Sequence, residues 1–332
     1  MKKFINSTEN ITQELLQGYV LACPQQVQLV RERIVVRTHP KPEHKTAVVA
    51  MMSTGHEPAL TGYVGEGMAD AVVAGDIFTP PGAAKIAEML QLFRNHSGMI
   101  FIVPNHASNV MNANLAMITA GKDNINVRRL LVAEDIALGQ DSPPEHRRGL
   151  VGAVPLIKIA GAAAEAGRGL DDIMAIAEKF SSKMATLTAT FRTATNPQTG
   201  HYLRELPDDM MDIGMGQHGT GGGEGPLKIL TADETAELLL NRLLDFLRLP
   251  DGSKVLLLIN GCGATTLMEM FIIFRKAHQL LTGRGMTVAA SRCGEIMTTQ
   301  EAAGIQMFLA ELDDETLPLY EAPSNAPYWT VR

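Results

Sequence analysis

The sequence has little cysteine, with only Cys23, Cys262 and Cys293 among 332 residues. No two of them have the close spacing typical of a zinc site, and three are too few for a disulfide framework. We therefore expect no metal site and no disulfide. We interpret all three as buried structural thiols in a reduced, cytoplasmic protein.

Positive charge is scarce as well, since 29 Lys and Arg face 36 Asp and Glu and the formal net charge is −7. Nucleic-acid binding requires a basic surface, so this balance argues against a nucleic-acid partner and against an anionic membrane surface. No run reaches the roughly 18–20 apolar residues of a membrane span. The N-terminal MKKFINSTENITQELL also turns polar where a signal peptide is apolar. We expect no membrane association.

What the sequence does contain is an alternation of short apolar runs and helical patterns, in a chain that is 45% hydrophobic. The predicted strands are KTAVVAMM (45–52), GMIFIVP (98–104), VRRLLVAED (127–135) and KVLLLIN (254–260). The predicted helices are 83–96, 107–121, 153–167, 170–192, 231–249 (with a capping box of Thr231 and Glu234) and 265–281. The alternation continues through the segments 287–295 and 304–312.

Strands that alternate with helices predict an α/β fold. We expect two α/β lobes with central, largely parallel or mixed sheets flanked by helices. The polar, turn-rich segment NPQTGHYLRELPDD (196–209) suggests that the lobes meet near residue 190. We therefore predict an N-terminal lobe of residues 1–190 and a C-terminal lobe of residues 191–332.

Three loops rich in Gly or Asn follow predicted strands, and a fourth polar loop is rich in glycine. They are STGHEP (53–58), PNHASNVMN (104–112), NGCGATT (260–266) and GMGQHGTGGGEG (214–225). In open α/β sheets, ligands bind beyond the carboxyl ends of the strands. The loops are therefore candidates to converge on one crevice.

Each of these loops also has an ordinary structural interpretation. The glycines beside His218 let backbone approach a ligand, or they form a flexible surface loop with an incidental histidine. His106 lies before a predicted helix, where Asn105, Ser108 and Asn109 are good capping residues. NGCGATT binds an anion at a helix start, or it is only a tight turn between a strand and a helix.

Nucleotide-binding motifs are missing. No phosphate-binding G-x-x-x-x-G-K-[ST] sequence occurs, and GYVGEG (62–67) departs from the dinucleotide fingerprint G-x-G-x-x-G. A nucleotide site on this chain therefore has little support.

A set of motifs in fixed order identifies a family that the chain resembles. They are GHEP (55–58), GYVGEGM (62–68), GDIFTPP (75–81), RRGLVGAVPLIKIAGAAAEAG (147–167), GMGQHG (214–219), INGCGATTLMEM (259–270) and LDDETLPLYEAP (312–323). In this combination the sequence resembles the substrate-binding subunit of dihydroxyacetone kinase, DhaK, over nearly its whole length.

The resemblance implies a chemistry. Members of this family bind short ketoses such as dihydroxyacetone as a hemiaminal on a histidine, which by motif is His218 here. His56 matches the histidine that hydrogen-bonds the substrate and helps activate its hydroxyl. Ser53, Thr54 and Gly55 match the substrate-binding loop before it.

The resemblance also implies partners. The subunit is typically a homodimer and holds no cofactor of its own. The nucleotide, ATP or ADP with Mg²⁺, belongs to a separate subunit, DhaL. In the phosphotransferase-system form, DhaM recharges the ADP.

The sequence departs from the family pattern at several site positions. Ser53 stands where the family has a glycine. Pro104 replaces a lysine that contacts substrate, and His106 replaces a tyrosine. Asn109 replaces the aspartate proposed as general base, and an amide cannot accept a proton as a carboxylate does.

Three functions follow from these observations. The first is a kinase subunit that presents a three- or four-carbon ketose for phosphorylation. The second is a ligand-sensing co-activator of a transcription regulator, like the DhaQ paralogues, which keep the covalent histidine. The third is a carbonyl-sugar binding protein with neither role.

Overall fold

A computed structural model describes residues 3–216, 218–221, 223 and 225–332. These residues form two units, each built on a six-stranded sheet. The first unit comprises residues 3–132, 153–179 and 318–332. The second unit comprises Ala133–Gly152 and Phe180–Leu317.

The sheet of the first unit has a parallel centre and an antiparallel edge. Its strands, in spatial order, are β1 (Val27–Val30), β2 (Ile34–Arg37), β4 (Ala71–Ile77), β3 (Ala47–Thr54), β5 (Met99–Pro104) and β6 (Val127–Val132). β3 runs parallel to β4 and β5, and β5 runs parallel to β6. β2 is antiparallel to both of its neighbours. All eight positions of β3 are buried, as in a central strand covered on both faces.

Helices supply the cover of this sheet. They are α1 (Ile11–Ala22), α2 (Ala83–Leu92), α3 (Ala107–Lys122), α4 (Ala153–Glu165) and α5 (Leu170–Ser181), whose last two residues fall in the second unit. Apolar residues of α2 and α3 share one core with β3 and β5. α4 contacts β3 and β5 and is almost entirely buried, which fits its apolar sequence, interrupted before Glu165 only by Lys158.

The sheet of the second unit is mixed. Its strands, in spatial order, are β11 (Thr287–Gly294), β10 (Lys254–Gly261), β12 (Ala303–Glu311), β7 (Met184–Arg192), β8 (Met210–Ile213) and β9 (Pro226–Lys228). β10 and β11 are parallel, and the other neighbours are antiparallel. The helices α6 (Ala232–Leu247) and α7 (Leu267–Gly283) form one core with this sheet. The predicted capping box at Thr231 and Glu234 is confirmed.

The chain ends in a short helix, α8 (Thr316–Glu321), and a hairpin of β13 (Ser324–Ala326) and β14 (Trp329–Val331). Together the two sheets and their helices confirm the predicted α/β class with parallel or mixed sheets.

The prediction of one helix over 170–192 was wrong in its second half. α5 ends at Ser181, and Met184–Arg192 is strand β7. In the sequence MATLTATFR, Ala185, Leu187 and Ala189 face the apolar core and alternate with threonines. This period of two, together with β-branched threonine, favours a strand over a helix.

The observed units divide the chain differently from the predicted lobes, 1–190 and 191–332. The second unit begins its main segment at Phe180, because β7 pairs with β12. It also includes Ala133–Gly152, which hydrogen bonds tie to β7: the Ile136 amide donates to the Thr186 carbonyl, and the Thr186 amide donates to the Glu134 carbonyl.

The three cysteines are free, but only Cys262 is buried; Cys23 and Cys293 are half-buried. Burial raises the pKa of Cys262 to about 12 and that of Cys293 to about 11, so both thiols are poor nucleophiles at neutral pH.

Within the described ranges, no helix has both the length and the apolar character that a membrane crossing requires.

Candidate functional site

The GHEP turn follows the central strand β3, and its glycine is required by the backbone. Gly55 has φ of +92°, a conformation that other residues rarely adopt, and a Cβ there would lie 2.8 Å from Phe78 Cε1. The Gly55 amide donates to both carboxylate oxygens of Glu57 at 3.1 Å. The Ala59 amide donates to the His56 carbonyl at 2.8 Å and closes the turn.

His56 is held at the centre of this turn. Its side chain is fully buried, and its ring centroid lies 5.5 Å from that of Phe78 at a tilt of 53°. Burial beside an aromatic ring limits the orientations that the imidazole can adopt. Desolvation also raises the pKa of the neighbouring Glu57 carboxyl above its usual value.

Ser53 and Thr54 end β3 and are both buried. The Thr54 hydroxyl donates to the Gly75 carbonyl at 3.2 Å and lies 3.0 Å from the Thr12 hydroxyl. The Thr54 side chain therefore fixes the end of β3 against neighbouring elements.

A second loop follows β5, the parallel neighbour of β3, so both loops leave the same edge of the sheet. Pro104 pairs with Val132 at the end of β5, and the Asn105 amide continues the ladder to the Val132 carbonyl at 2.8 Å. A proline is tolerated at this strand end.

α3 begins directly after this loop, and its capping differs from our expectation. The N-cap residue is His106, whose side chain makes no capping hydrogen bond. His106 is exposed, and its Nδ1 lies 3.1 Å from the Ser108 hydroxyl. The Asn109 amide instead donates back to the Pro104 carbonyl at 2.9 Å. Asn109 therefore ties the first turn of the helix to the end of β5.

His218 belongs to the second unit and lies in the loop after β8. It is partly exposed, and glycines surround it. The Gly216 amide donates to the Thr220 carbonyl at 2.9 Å, and the Gly219 amide donates to the Gly216 carbonyl at 3.0 Å. The loop around His218 is thus closed by its own backbone bonds, which favours a shaped loop over a merely flexible one. Gln217, Gly222 and Glu224 lie outside the described residues.

The NGCGATT segment is a tight turn with a capped helix behind it. Thr266 is the N-cap of α7, and its capping box with Glu269 places a carboxylate at the helix start. Asn260 is fully buried, and its side chain bonds the backbone of Ile296 and Met297. These contacts support the turn interpretation over an anion site.

Across the part of the chain that the structure describes, no group of three or more His, Cys, Asp or Glu side chains is arranged to hold a metal ion.

Comparison with known proteins decides the family. The sequence model of the Dak1 domain matches residues 17–328, which is most of the chain. The chain belongs to the Dak1 domain family.

Relatives of this Dak1 protein carry informative names. The chain is 36% identical over 330 residues to the dihydroxyacetone-binding subunit DhaK of PTS-dependent dihydroxyacetone kinase 1 from Listeria innocua, with 99% of this chain and 100% of the relative covered. It is 32% identical to the L-erythrulose kinase of Pectobacterium atrosepticum, covering 98% of this chain but only 56% of that kinase.

A solved structure is also similar. The dihydroxyacetone kinase operon co-activator Dha-DhaQ superposes with a TM-score of 0.90 and 28% identity, with 96% of this chain and 98% of that one covered. A protein named as a co-activator therefore shares the fold seen here.

The structure brings some of the predicted site residues together. Within the first unit, the loops 53–56 and 104–109 lie at the same edge of the sheet, behind the adjacent strands β3 and β5. His218 stands in the second unit. The roles that the family resemblance assigns to these residues remain predictions.

Two residues that shape these loops were not predicted from the sequence. Phe78, which packs on His56, lies in the GDIFTPP motif, and Arg148, which bonds the His218 loop, lies in the RRG motif. Both motifs were visible, but a motif does not show which side chain it orients.

Proposed function

We propose that this chain is the ketose-binding subunit of a dihydroxyacetone kinase type of phosphotransferase, with His218 as the point of covalent attachment. The observation that carries the proposal is the partly exposed His218, held in a glycine-bounded loop of a chain that belongs to the Dak1 family.

The chemistry of imidazole supports this role. The lone pair of a neutral ring nitrogen adds to the ketose carbonyl carbon, the carbonyl oxygen gains a proton, and the other ring nitrogen releases its proton. The product is a hemiaminal. Because the attached nitrogen has no further proton to lose, no imine forms and no water leaves. A polyol such as glycerol lacks a carbonyl and is rejected.

His56 is proposed to hydrogen-bond the bound ketose and to help activate the hydroxyl that is phosphorylated, in a site where Asn109 replaces the carboxylate base of the family. Its buried position in the GHEP turn suits this task, because activation of a hydroxyl requires a hydrogen bond of defined geometry. The walls of the substrate-binding region are proposed to include Ser53, Thr54, Gly55, Pro104 and His106.

The phosphoryl group is proposed to come from ATP, or from ADP recharged by a DhaM-type protein, with Mg²⁺ on a DhaL-type partner. We also propose that the subunit is a cytoplasmic homodimer. The names of the Listeria relative support the partnership, since that protein is a subunit of a PTS-dependent kinase.

The substrate is proposed to be dihydroxyacetone or a four-carbon ketose. The similarity to an L-erythrulose kinase supports the longer ketose, and Pro104 and Asn109 alter the loop that the resemblance places against the substrate.

Intact-mass spectrometry with dihydroxyacetone and erythrulose tests the attachment. The wild type should gain the full mass of the ketose, without loss of water, and His218→Ala should gain none. His201→Ala, an exposed histidine of the same unit, should behave as wild type. An adduct that survives in His218→Ala would disprove the assignment.

A second candidate function is a ligand-sensing co-activator that binds the ketose without phosphorylating it. Two observations favour it: Asn109 is an amide already bonded to Pro104, and the fold matches the co-activator Dha-DhaQ. Formation of the ketose phosphate separates the two functions, when the chain is mixed with a DhaL-type partner and supplied with ATP or with a DhaM-type protein and its phosphoryl donor, across three- and four-carbon ketoses. Turnover on any ketose establishes the kinase, whereas an adduct without turnover contradicts the kinase and supports a ligand-binding role such as the sensor.

A further inference from the structure

A buried ion pair lies beside the His218 loop. Asp135 follows β6, and its carboxylate accepts from Arg148 Nε at 2.7 Å. The Asp135 side chain is 1% exposed and that of Arg148 is 18% exposed. Asp135 is itself fixed, because its amide donates to the Arg148 carbonyl and its second carboxylate oxygen accepts from the Ala137 amide, both at 3.0 Å.

The guanidinium of Arg148 spans the loop on both sides of His218. Nη2 donates to the Gly214 carbonyl at 2.6 Å, before the histidine. Nη1 donates to the Thr220 carbonyl at 2.9 Å and the Thr220 hydroxyl at 3.1 Å, after the histidine, and lies 3.3 Å from the Gly221 carbonyl. One rigid group therefore fixes the distance between the two ends of the loop.

This arrangement depends on arginine in particular. A planar guanidinium presents several donors in a fixed fork, whereas lysine presents one compact ammonium on a flexible stem. A lysine at position 148 would have a single nitrogen. That nitrogen could not bond Asp135 and also the two loop carbonyls, which lie on different sides of the guanidinium. Glycine at 216 also fits this contact, because a Cβ there would overlap the Arg148 guanidinium and the Thr220 hydroxyl.

From this geometry we infer that Arg148, oriented by Asp135, is the positioning residue that holds His218 in place for addition to the ketose carbonyl. The inference rests on the proposed role of His218. Nucleophilic addition depends on the approach of the ring nitrogen, and a displacement of about 1 Å is enough to cost ~10²-fold in rate.

The neighbouring arginine provides a matched control. Arg147 lies in the same motif but stacks over the Phe246 ring, 4.6 Å from its centroid, and donates to the Ser142 carbonyl. Its removal deletes a comparable side chain from the same unit, with none of the loop contacts described for Arg148.

The experiment measures two quantities in full-length Arg148→Ala, Arg148→Lys and Arg147→Ala: the rate of dihydroxyacetone adduct formation by intact mass, and hydrogen exchange at the amides of Gly214, Gly216 and Gly219 without ligand. We expect both Arg148 variants to form the adduct about 10²-fold more slowly and to exchange these amides faster. Arg147→Ala should match wild type in both. Added guanidinium ion, at a concentration that leaves wild type unchanged, should restore the rate of Arg148→Ala, and urea should not.

Adduct formation at the wild-type rate in Arg148→Ala would overturn the inference, as would equal losses in Arg148→Ala and Arg147→Ala. If wild type itself forms no adduct with any ketose, the proposed function fails. Hydrogen exchange at the loop amides then tests separately whether Arg148 holds the loop. Unchanged exchange in Arg148→Ala would show that this residue does not hold the loop, and faster exchange would show that it does.

Discussion

At the residue scale, the sequence predicts which side chains line the candidate site, but it does not predict the hydrogen bonds that these side chains make in the fold. Asn109 was predicted to occupy the place of a general base, and its amide proves to be committed to the Pro104 carbonyl at 2.9 Å. That bond depends on the path of the backbone from β5 into α3, which residue identities alone do not specify. The same holds for Thr54, whose hydroxyl bonds Gly75.

This commitment makes Asn109→Asp informative. A carboxylate has no proton to donate to the Pro104 carbonyl, so the side chain loses this bond and becomes available as a base. We expect ketose phosphorylation with a DhaL-type partner to rise by ~10²–10⁴-fold. The free energy of unfolding should fall by about 1 kcal/mol for the lost hydrogen bond. Turnover is measured as formation of the ketose phosphate, and stability is measured by urea titration.

A matched control lies one turn further along α3. Asn112 also donates its amide to a proline carbonyl, that of Pro81, at 3.0 Å. Asn112→Asp should lose similar stability with no gain in turnover. Equal and measurable turnover in wild type and Asn109→Asp would contradict the prediction and would mean that another residue, such as His56 or His106, serves as the base.

At the element scale, long amphipathic helices and continuous apolar strands were predictable, and the boundary inside 170–192 was not. α5 and β7 are separated only by Ser182 and Lys183, and both segments carry apolar residues throughout. The spacing of apolar residues changes here from about 3.6, typical of a helix, to 2, typical of a strand. A stretch of sequence that includes the change therefore supports both structures. Pairing with β12, far along the sequence, decides the outcome.

The buried side chain of Glu134 connects β7 to the segment 150–152. It follows β6 and is 2% exposed. Its Oε1 accepts from the Leu150 and Gly152 amides at 3.0 and 2.7 Å, and from the Thr186 hydroxyl at 3.2 Å. Burial raises the pKa of the Glu134 carboxyl to about 7, and the hydrogen bonds that it accepts only partly oppose this shift.

The raised pKa predicts a pH dependence of stability. Between pH 4.5 and about 7, folded Glu134 keeps a proton that the unfolded chain has released. The free energy of unfolding is therefore highest below pH 4.5, the pKa of this carboxyl in the unfolded chain. It falls by roughly 3 kcal/mol in total as the pH rises to about 7.

Glu134→Gln should remove this loss, because a glutamine oxygen at the Oε1 position can accept all three of these bonds and does not titrate. Urea titrations followed by circular dichroism from pH 4.5 to 7.5 compare wild type, Glu134→Gln and the exposed control Glu145→Gln. In the control, the free energy of unfolding should fall with pH as it does in wild type. The prediction is wrong if it falls to the same extent in Glu134→Gln.

At the scale of the whole molecule, the α/β class could be predicted from the alternation of elements, but the division of the chain could not. Ala133–Gly152 belongs with residues that begin at Phe180, and the C-terminal residues 318–332 return to the first unit. Such returns depend on pairings between distant segments, for which local periodicity gives no signal.

A buried ion cluster joins distant segments within the first unit. Asp70 is 1% exposed. Its Oδ1 accepts from Arg37 at 3.2 Å, and its Oδ2 accepts from Lys41 at 2.9 Å and from the Val48 amide at 2.7 Å. Glu165, at the end of α4, also accepts from Arg37, at 2.8 Å. Two buried cations therefore depend on the Asp70 carboxylate.

Removing that charge should leave buried cations without full compensation, so Asp70→Asn should lower the free energy of unfolding by about 3–5 kcal/mol. Asp76→Asn is the matched control, because Asp76 pairs with Arg33 at 2.6 Å on the surface, with its side chain 66% exposed. Its loss should cost less than ~1 kcal/mol, since solvent screens such pairs.

The single tryptophan, Trp329, is buried in this unit against Tyr63 and Tyr320, so its fluorescence reports the unfolding of the first unit in urea. Equal midpoints for the two variants would mean that the cluster contributes no more than a surface ion pair.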